Sequence, residues 1–304
     1  MIRPKPLKKG DTVAIIAPAS PADKNLIDSC INSLENLGLN VVVGKSCTSE
    51  YGFLSGTDDI RANDINSMFA NKSINGIFAI RGGYGCARLL NLIDFNLIKK
   101  NPKVFIGYSD ITALHIAINQ KSKLITYHGP MVSTELIKGL DEYSFNYYNK
   151  FLFSNDNMIE LCNPIENPIK TINPGVAEGK LIGGNLSLIC SSLGTKYEIN
   201  TKNKILFLEE VGEVPYKVDR MLTHLKQSGK LKDANGIILG AFTDCVAPKD
   251  KKSLSLDDIF NEIILPLKKP TIYNLACGHC LPTLTLPLGA KIRLDANNIK
   301  LNVI

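Results

Sequence analysis

Ser109 lies in the stretch Lys103-Val-Phe-Ile-Gly-Tyr-Ser-Asp110, where an apolar strand runs out and the amphipathic run Ile111 to Ile118 begins. A serine in such a strand-to-helix turn is lifted clear of its surroundings. Gly107 leaves room for the sharp bend, and the backbone N–H groups that follow face the same space as the hydroxyl. The turn therefore predicts an attacking oxygen together with part of an oxyanion hole. It lacks the second glycine of a Gly-x-Ser-x-Gly elbow, and a serine before Asp at a helix start also serves as an N-cap. Both readings stand at this point.

Two later segments bear on the choice. Lys204-Ile-Leu-Phe-Leu-Glu-Glu-Val-Gly212 is another apolar strand ending in acid, and Ala276-Cys-Gly-His279 puts a histidine in a short loop after the strand-like run Thr271 to Leu275. Serine, acid and histidine thus occur in that chain order. A triad needs a base within reach of the serine and an acid that fixes the base's tautomer, and strand ends gather such groups on one rim. Taken singly, Glu209 and Glu210 read equally as solvated loop acids, and His279 as a turn residue.

Cys277-Gly-His-Cys280 spells a thiol–disulfide exchange motif, but Leu281-Pro282 follow at once, so no helix starts in it to lower a thiol pKa. No second Cys/His pair lies at zinc-ligand spacing. The expectation is two small packing residues, with no metal and no cofactor. Arg81-Gly-Gly-Tyr-Gly85 lacks the spacing of a dinucleotide fingerprint, and a glycine pair after a strand suits an exposed backbone N–H or a turn with positive φ. His128, before Gly129-Pro130, is expected either to line a cleft or to be satisfied by backbone. His115 and His224 lie on helices without an assigned role.

These residues need elements to hold them. In the first half the short two-sided apolar runs Val13 to Ile16, Val41 to Val43, Gly76 to Ile80, Val104 to Ile106 and Leu124 to Tyr127 alternate with helical patterns. Between the first two, Leu26, Ile27, Cys30, Ile31, Leu34 and Leu37 share one helical face, and Gly38 stops it. The βαβα pattern predicts an α/β fold whose N-terminal domain, 1–152, is a doubly wound, mostly parallel sheet with ligands at the carboxyl ends of its strands. Ser20, Arg81 to Gly83 and Ser109 all fall there. Residues 153–175, rich in Asn and Pro, read as a linker. Residues 176–304 read as a smaller, mixed α/β, strand-rich domain. It is expected to hold a helix with Val218, Met221, Leu222 and Leu225 on one face, strand Gly236 to Phe242, a helix near Leu256 to Leu265, and a closing β-meander from Leu284 with a turn at Ala296-Asn-Asn298.

The 304 residues are 44% hydrophobic and 21% charged, enough for a sizeable core. The N-terminus shows no apolar signal region, and the apolar runs are too short to cross a bilayer, so a cytoplasmic protein without a membrane partner is expected. The eight cysteines then read as reduced thiols. The net charge of +6 comes from scattered lysines, a solvated surface and not a nucleic-acid stripe.

Taken together, Lys9-Gly-Asp-Thr-Val-Ala-Ile-Ile-Ala-Pro-Ala-Ser20, Ile80 to Gly85, Gly107 to Asp110, Tyr127-His-Gly-Pro130, Leu181 to Ser187, Leu208 to Glu213, Pro215 to Arg220 and Gly278-His279 resemble the LD-carboxypeptidase family of serine peptidases. That family includes murein tetrapeptide carboxypeptidases and microcin self-immunity proteins. The resemblance implies Ser109 as nucleophile, Glu209 as triad acid with Glu210 as its alternative, His279 as base, and the amides of Asp110 and Gly83 as oxyanion donors. It also implies a homodimer that removes a terminal D-amino acid from a cytoplasmic murein tetrapeptide during wall recycling. Arg81, His128 and Arg220 are the candidate substrate-binding residues. Arg220 and Lys217 are placed to hold a substrate carboxylate, since a planar guanidinium suits one, while a surface ion pair accounts equally for Lys217. The alternatives are an immunity-type hydrolase of a peptide-nucleotide antibiotic, although the chain has no Trp to stack a base, and a non-catalytic binder in which Ser109 is only an N-cap.

Overall fold

The computed structural model describes residues 1–156 and 158–304 and divides into two compact units. The first unit comprises Met1–Asp156 with Thr285–Gly289. Its parallel strands are β1 (Thr12–Ile16), β2 (Asn40–Val43), β3 (Ile74–Ala79), β4 (Val104–Gly107) and β5 (Thr126–His128). Its helices are α1 (Ile27–Glu35), α2 (Asp58–Ala70), α3 (Cys86–Leu89), α4 (Phe95–Lys100), α5 (Thr112–Ala117) and α6 (Glu142–Phe153). The strands stand in the order β2-β1-β3-β4-β5, and a sixth, Leu286–Leu288, adds antiparallel to β5.

This order reverses direction between β1 and β3, and the crevice beyond the strand ends at such a switch point is where α/β sheets take ligands. The predicted strands appear within about two residues of their expected places because each is apolar on both faces and has helices to cover it. Val104, Phe105 and Ile106 are fully or almost fully buried. Gly38, at φ +82, ends the chain segment after α1 as its left-handed stop.

The second unit comprises Asn157–Leu284 with Ala290–Ile304. It holds β6 (Ile159–Leu161), β7 (Lys170–Asn173), β8 (Val176–Asn185), β9 (Lys204–Val211), β10 (Gly236–Thr243) and β11 (Thr271–Tyr273). With Leu286–Leu288 counted as β12, the last strands are β13 (Lys291–Asp295) and β14 (Lys300–Val303). The helices are α7 (Leu186–Ser191), α8 (Pro215–Gln227), α9 (Lys230–Asp233) and α10 (Leu256–Ile263). The sheet runs β6-β14-β13-β8-β9-β10-β11-β7, parallel from β8 to β11 and antiparallel toward both edges. The chain is thus a mixed α/β protein of two sheets, the first mostly parallel.

Two local expectations differ from what is observed. The stretch 153–175 is not a bare connection, since β6 and β7 lie in it and close the two edges of the second sheet. The closing strands are not one meander. β13 and β14 form the expected hairpin, whereas β12 belongs to the first sheet. Alternating hydropathy marks a strand as half-buried without saying which sheet buries it. No helix among the described residues is long and apolar enough to cross a membrane.

Candidate active site

In the first unit, β4 ends at Gly107 and the chain turns through Tyr108 into Ser109, whose φ is +64. A side chain in this left-handed region is strained, and such strain persists only where surrounding contacts over-determine it. A Cβ on Gly107 would lie 2.9 Å from both Ala79 Cβ and Ile111 Cγ1, so only glycine permits the bend. Ser109 is half-buried, and the short helical turns that follow carry no side-chain cap, so Ser109 is not acting as an N-cap.

His115 locks the strand end from behind. Its ring lies 2.8 Å from the Gly107 carbonyl through Nε2 and 2.8 Å from Thr126 Oγ1 through Nδ1. A carbonyl only accepts, so Nε2 carries the proton and Nδ1 receives the threonine hydroxyl. Burial drives the His115 pKa down to about 4, which keeps the ring neutral. Tyr108 is held in turn by Glu135, 2.9 Å from its hydroxyl.

The glycine loop after β3 packs against the same turn. A Cβ on Gly82 would come within 2.9 Å of Ser109 Cβ and 3.1 Å of its Oγ, and one on Gly83, at φ +116, would fall on the Ser20 hydroxyl. Ser20 accepts from the Tyr84 N–H at 3.1 Å. The Gly82–Gly83 pair thus brings bare backbone up to the serine, as an oxyanion donor requires. Asp110 is buried, and its Oδ2 accepts from the Cys86 N–H at 2.8 Å, leaving its own N–H at the start of the turn. Burial raises the Asp110 carboxyl pKa, with the Cys86 contacts and Arg61 working the other way.

The other expected residues of this unit sit differently. Arg81 is half-buried, with Nη1 3.3 Å from the Pro21 carbonyl. His128 is only 1% exposed, packed beside the rings of Tyr108 and His115, so it lies in the core and not along an open cleft.

In the second unit, β9 is buried on both faces and carries two adjacent acids. Side chains alternate along a strand, and Glu209 and Glu210 diverge accordingly. Glu209 is fully buried, with Oε2 2.7 Å from His279 Nδ1. Burial raises the Glu209 pKa, and the His279 hydrogen bond and charge oppose the rise. Glu210 instead accepts from Asn185 Nδ2 at 3.0 Å, the Ser187 N–H at 2.8 Å, the Ser187 hydroxyl at 2.6 Å and the Val211 N–H at 2.9 Å.

The loop that carries His279 is fitted to Glu209. Gly278 has φ +118, and a Cβ there would sit 2.7 Å from Glu209 Oε2. The loop is tied to the sheet by the Ala241 N–H donating to the Cys277 carbonyl at 2.9 Å. It is also tied to the stretch expected to be a linker. Asn163 Oδ1 accepts from the Ala276 N–H at 2.8 Å, and Asn163 Nδ2 donates to the carbonyls of Asn274 and Asn167 at 2.6 and 2.7 Å. The only signal in the sequence was an asparagine before proline, which marks a turn without revealing what the amide binds.

Cys277 is buried, with its thiol pKa pushed well above the ordinary value, and Cys280 is raised to about 11, both chiefly by burial. A redox cysteine needs the opposite shift, so the packing assignment fits. Arg220 is exposed, its guanidinium 5.9 Å from the centre of the Tyr216 ring, and Lys217 pairs with Glu213 at 2.8 Å. The ion-pair account of Lys217 is the observed one. No metal-holding group of three or more His, Cys, Asp or Glu occurs among the described residues.

The second unit thus holds a histidine oriented by a buried acid, and the first a serine in a strained elbow beside bare glycine backbone, each a kind of group that nucleophilic acyl transfer uses. The LD-carboxypeptidase N-terminal domain model matches residues 13–129, and the LD-carboxypeptidase C-terminal domain model matches residues 178–294. The "Probable murein peptide carboxypeptidase" of Bacillus subtilis (strain 168) is 44% identical over 297 residues, covering 96% of this chain and 91% of that protein. The MccF-like protein of Bacillus anthracis str. Ames has a similar structure, with a TM-score of 0.89 at 29% identity over 100% of this chain and 99% of that one. The muramoyltetrapeptide carboxypeptidase of Oxalobacter formigenes gives a TM-score of 0.84 at 28% identity, over 96% and 97% of the two chains.

Proposed function

We propose, on the premise that this chain belongs to the LD-carboxypeptidase family of serine peptidases, that it releases the terminal D-amino acid, D-alanine, from a murein tetrapeptide. Cytoplasmic wall recycling is the setting we assign to it. The observation that carries the mechanism is the 2.7 Å contact between Glu209 and His279 Nδ1, which orients the imidazole through Nδ1 and gives Nε2 the part of the base.

In this mechanism Ser109 Oγ attacks the carbonyl of the L-configured centre while His279 Nε2 takes its proton. Negative charge develops on the carbonyl oxygen and is held by the N–H groups of Gly83 and Asp110; removing one such donor costs on the order of 100-fold or more in turnover. The imidazolium, stabilised by Glu209, then protonates the departing amine. Water repeats the sequence on the acyl-enzyme and regenerates the serine.

Support for the substrate comes from the two murein-related relatives. The MccF-like neighbour supports an immunity-type hydrolase as the second reading. Competing the two substrates, a murein tetrapeptide against a peptidyl nucleotide, in one assay and comparing kcat/KM tests the choice. A higher value for the tetrapeptide is expected, and the reverse order would replace this reading with the second.

A further inference from the structure

We propose that Arg61 is a positioning residue for the oxyanion hole, a buried cation that ties together the three loops at the carboxyl edge of the first sheet. The inference rests on the serine-hydrolase reading above, in which the Gly83 and Asp110 amides hold the developing charge.

Arg61 lies in the first turn of α2 and is 0% exposed, the largest fully buried side chain among the described residues. A guanidinium without solvent is costly unless it is paired on several sides. Here it is paired with a loop carbonyl and with a carboxylate of its own helix turn. Nη1 donates to the Pro18 carbonyl at 2.6 Å, in the loop that leads from β1 to Ser20. Nη2 pairs with the Asp58 carboxylate. That carboxylate is fixed from outside by Arg88, whose Nε and Nη2 reach it at 2.9 to 3.1 Å.

The glycine loop rests directly on this guanidinium. Gly85 has φ +134, and a Cβ on it would come within 2.5 Å of Arg61 Nη1 and 2.7 Å of Leu54 Cδ2. Gly85 is two residues beyond Gly83 and immediately before Cys86, whose N–H donates to Asp110. The positive charge of Arg61 also favours the ionised form of Asp110. Arg61 Nε and Asp110 Oδ1 are both buried without a hydrogen-bond partner among the described residues. The coupling between the two groups is thus a charge interaction and not a hydrogen bond.

One side chain thus touches the β1 loop and the glycine loop and acts through its charge on Asp110 in the serine elbow. Core filling alone would not call for a charge at this position, because an apolar side chain of similar length would fill the space without the desolvation cost. A guanidinium is suited to the linking task, since its planar fork holds several acceptors in fixed directions.

The test uses the full-length enzyme with Arg61→Lys, which keeps the charge, and Arg61→Met, which keeps the length. Active sites are counted with a fluorophosphonate that labels Ser109, so that kcat is expressed per competent site, and melting temperature is recorded alongside. The expected result is kcat per site down about tenfold for Lys and about 100-fold for Met, the loss of one oxyanion donor. KM should stay within about threefold, and labelling should slow in parallel, because phosphonylation also places charge on an oxygen in the hole. If Arg61→Met does not fold, Arg61→Lys decides. Per-site kcat within about twofold of wild type, or a loss seen only as fewer titratable sites, would overturn the role. A wild-type enzyme that cleaves the peptide without being labelled at Ser109 would instead overturn the serine reading on which the role depends.

Discussion

Glu209 Oε2 sits 2.7 Å from His279 Nδ1, while Glu210, its neighbour on β9, turns the other way into Asn185 and Ser187. Two adjacent carboxylates therefore have separate tasks. Glu209 is desolvated and directed at the His279 imidazole. Glu210 accepts four hydrogen bonds, three of which pin the end of β8 and the start of α7 to β9.

Substituting the two acids should separate activity from stability. Glu209→Gln should lower kcat by several orders of magnitude, through the loss of the charge that holds the imidazolium. Its melting temperature should hold or rise, since burial makes the charged carboxylate costly to fold. Glu210→Gln should keep kcat within about tenfold and lose roughly 2–4 kcal/mol of stability, because charge-assisted bonds to buried donors are broken. Kinetics and urea unfolding on both variants check this; the opposite ranking in kcat would move the triad acid to Glu210.

Asn163 should behave as a remote support of the base. Asn163→Ala leaves the Ala276 N–H and the Asn274 carbonyl without their partner, so the His279 loop should loosen. The expected outcome is a loss of about 1–3 kcal/mol of stability and a lower kcat with little change in KM. Asn163→Asp, which keeps the acceptor for Ala276 and loses the donor, should fall between wild type and Ala. An Ala variant with wild-type kcat would separate this stretch from the site.

The neutral His115 gives a pH signature. An ordinary histidine protonates near 6.5 and His115 only near about 4, so the unfolded chain binds a proton in that window that the folded chain does not. The stability contributed is fully present above about pH 6.5 and is lost as pH falls toward 4, by roughly 3 kcal/mol. The raised carboxyls of Glu209 and Asp110 act in the opposite sense at the acid end. The difference between wild type and His115→Asn therefore isolates the histidine. Urea unfolding at pH 7, 5.5 and 4.5 should show that difference shrinking with acid, and a constant difference would contradict the burial of His115 as a neutral ring.

Strands β1, β3 and β4 were legible because a parallel strand covered on both sides is an uninterrupted apolar run, and the Ser109 turn was legible as the point where such a run meets a helical pattern. The divergence of Glu209 from Glu210 was implicit in the two-residue period of a strand. The role of 153–175 was not legible. Its Asn-Pro pairs have the local chemistry of turns, while Asn163 acts on Ala276 and Asn274, more than a hundred residues away. The same limit hid His115 and Arg61. A lone histidine or arginine on a helix carries no mark of burial, and only the fold brings Gly107 to one and Gly85 to the other.

The central claim is that Ser109 attacks the peptide carbonyl, and the most direct measurement is digestion of a purified murein tetrapeptide by wild type and Ser109→Ala, read by mass. One hydroxyl at an elbow adds little packing but is the whole nucleophile. Wild type should release the tripeptide and free D-alanine, and Ser109→Ala, with an unchanged melting curve, should release less than a few per cent as much. A Ser109→Ala protein that still releases D-alanine at near the wild-type rate would remove Ser109 from the mechanism.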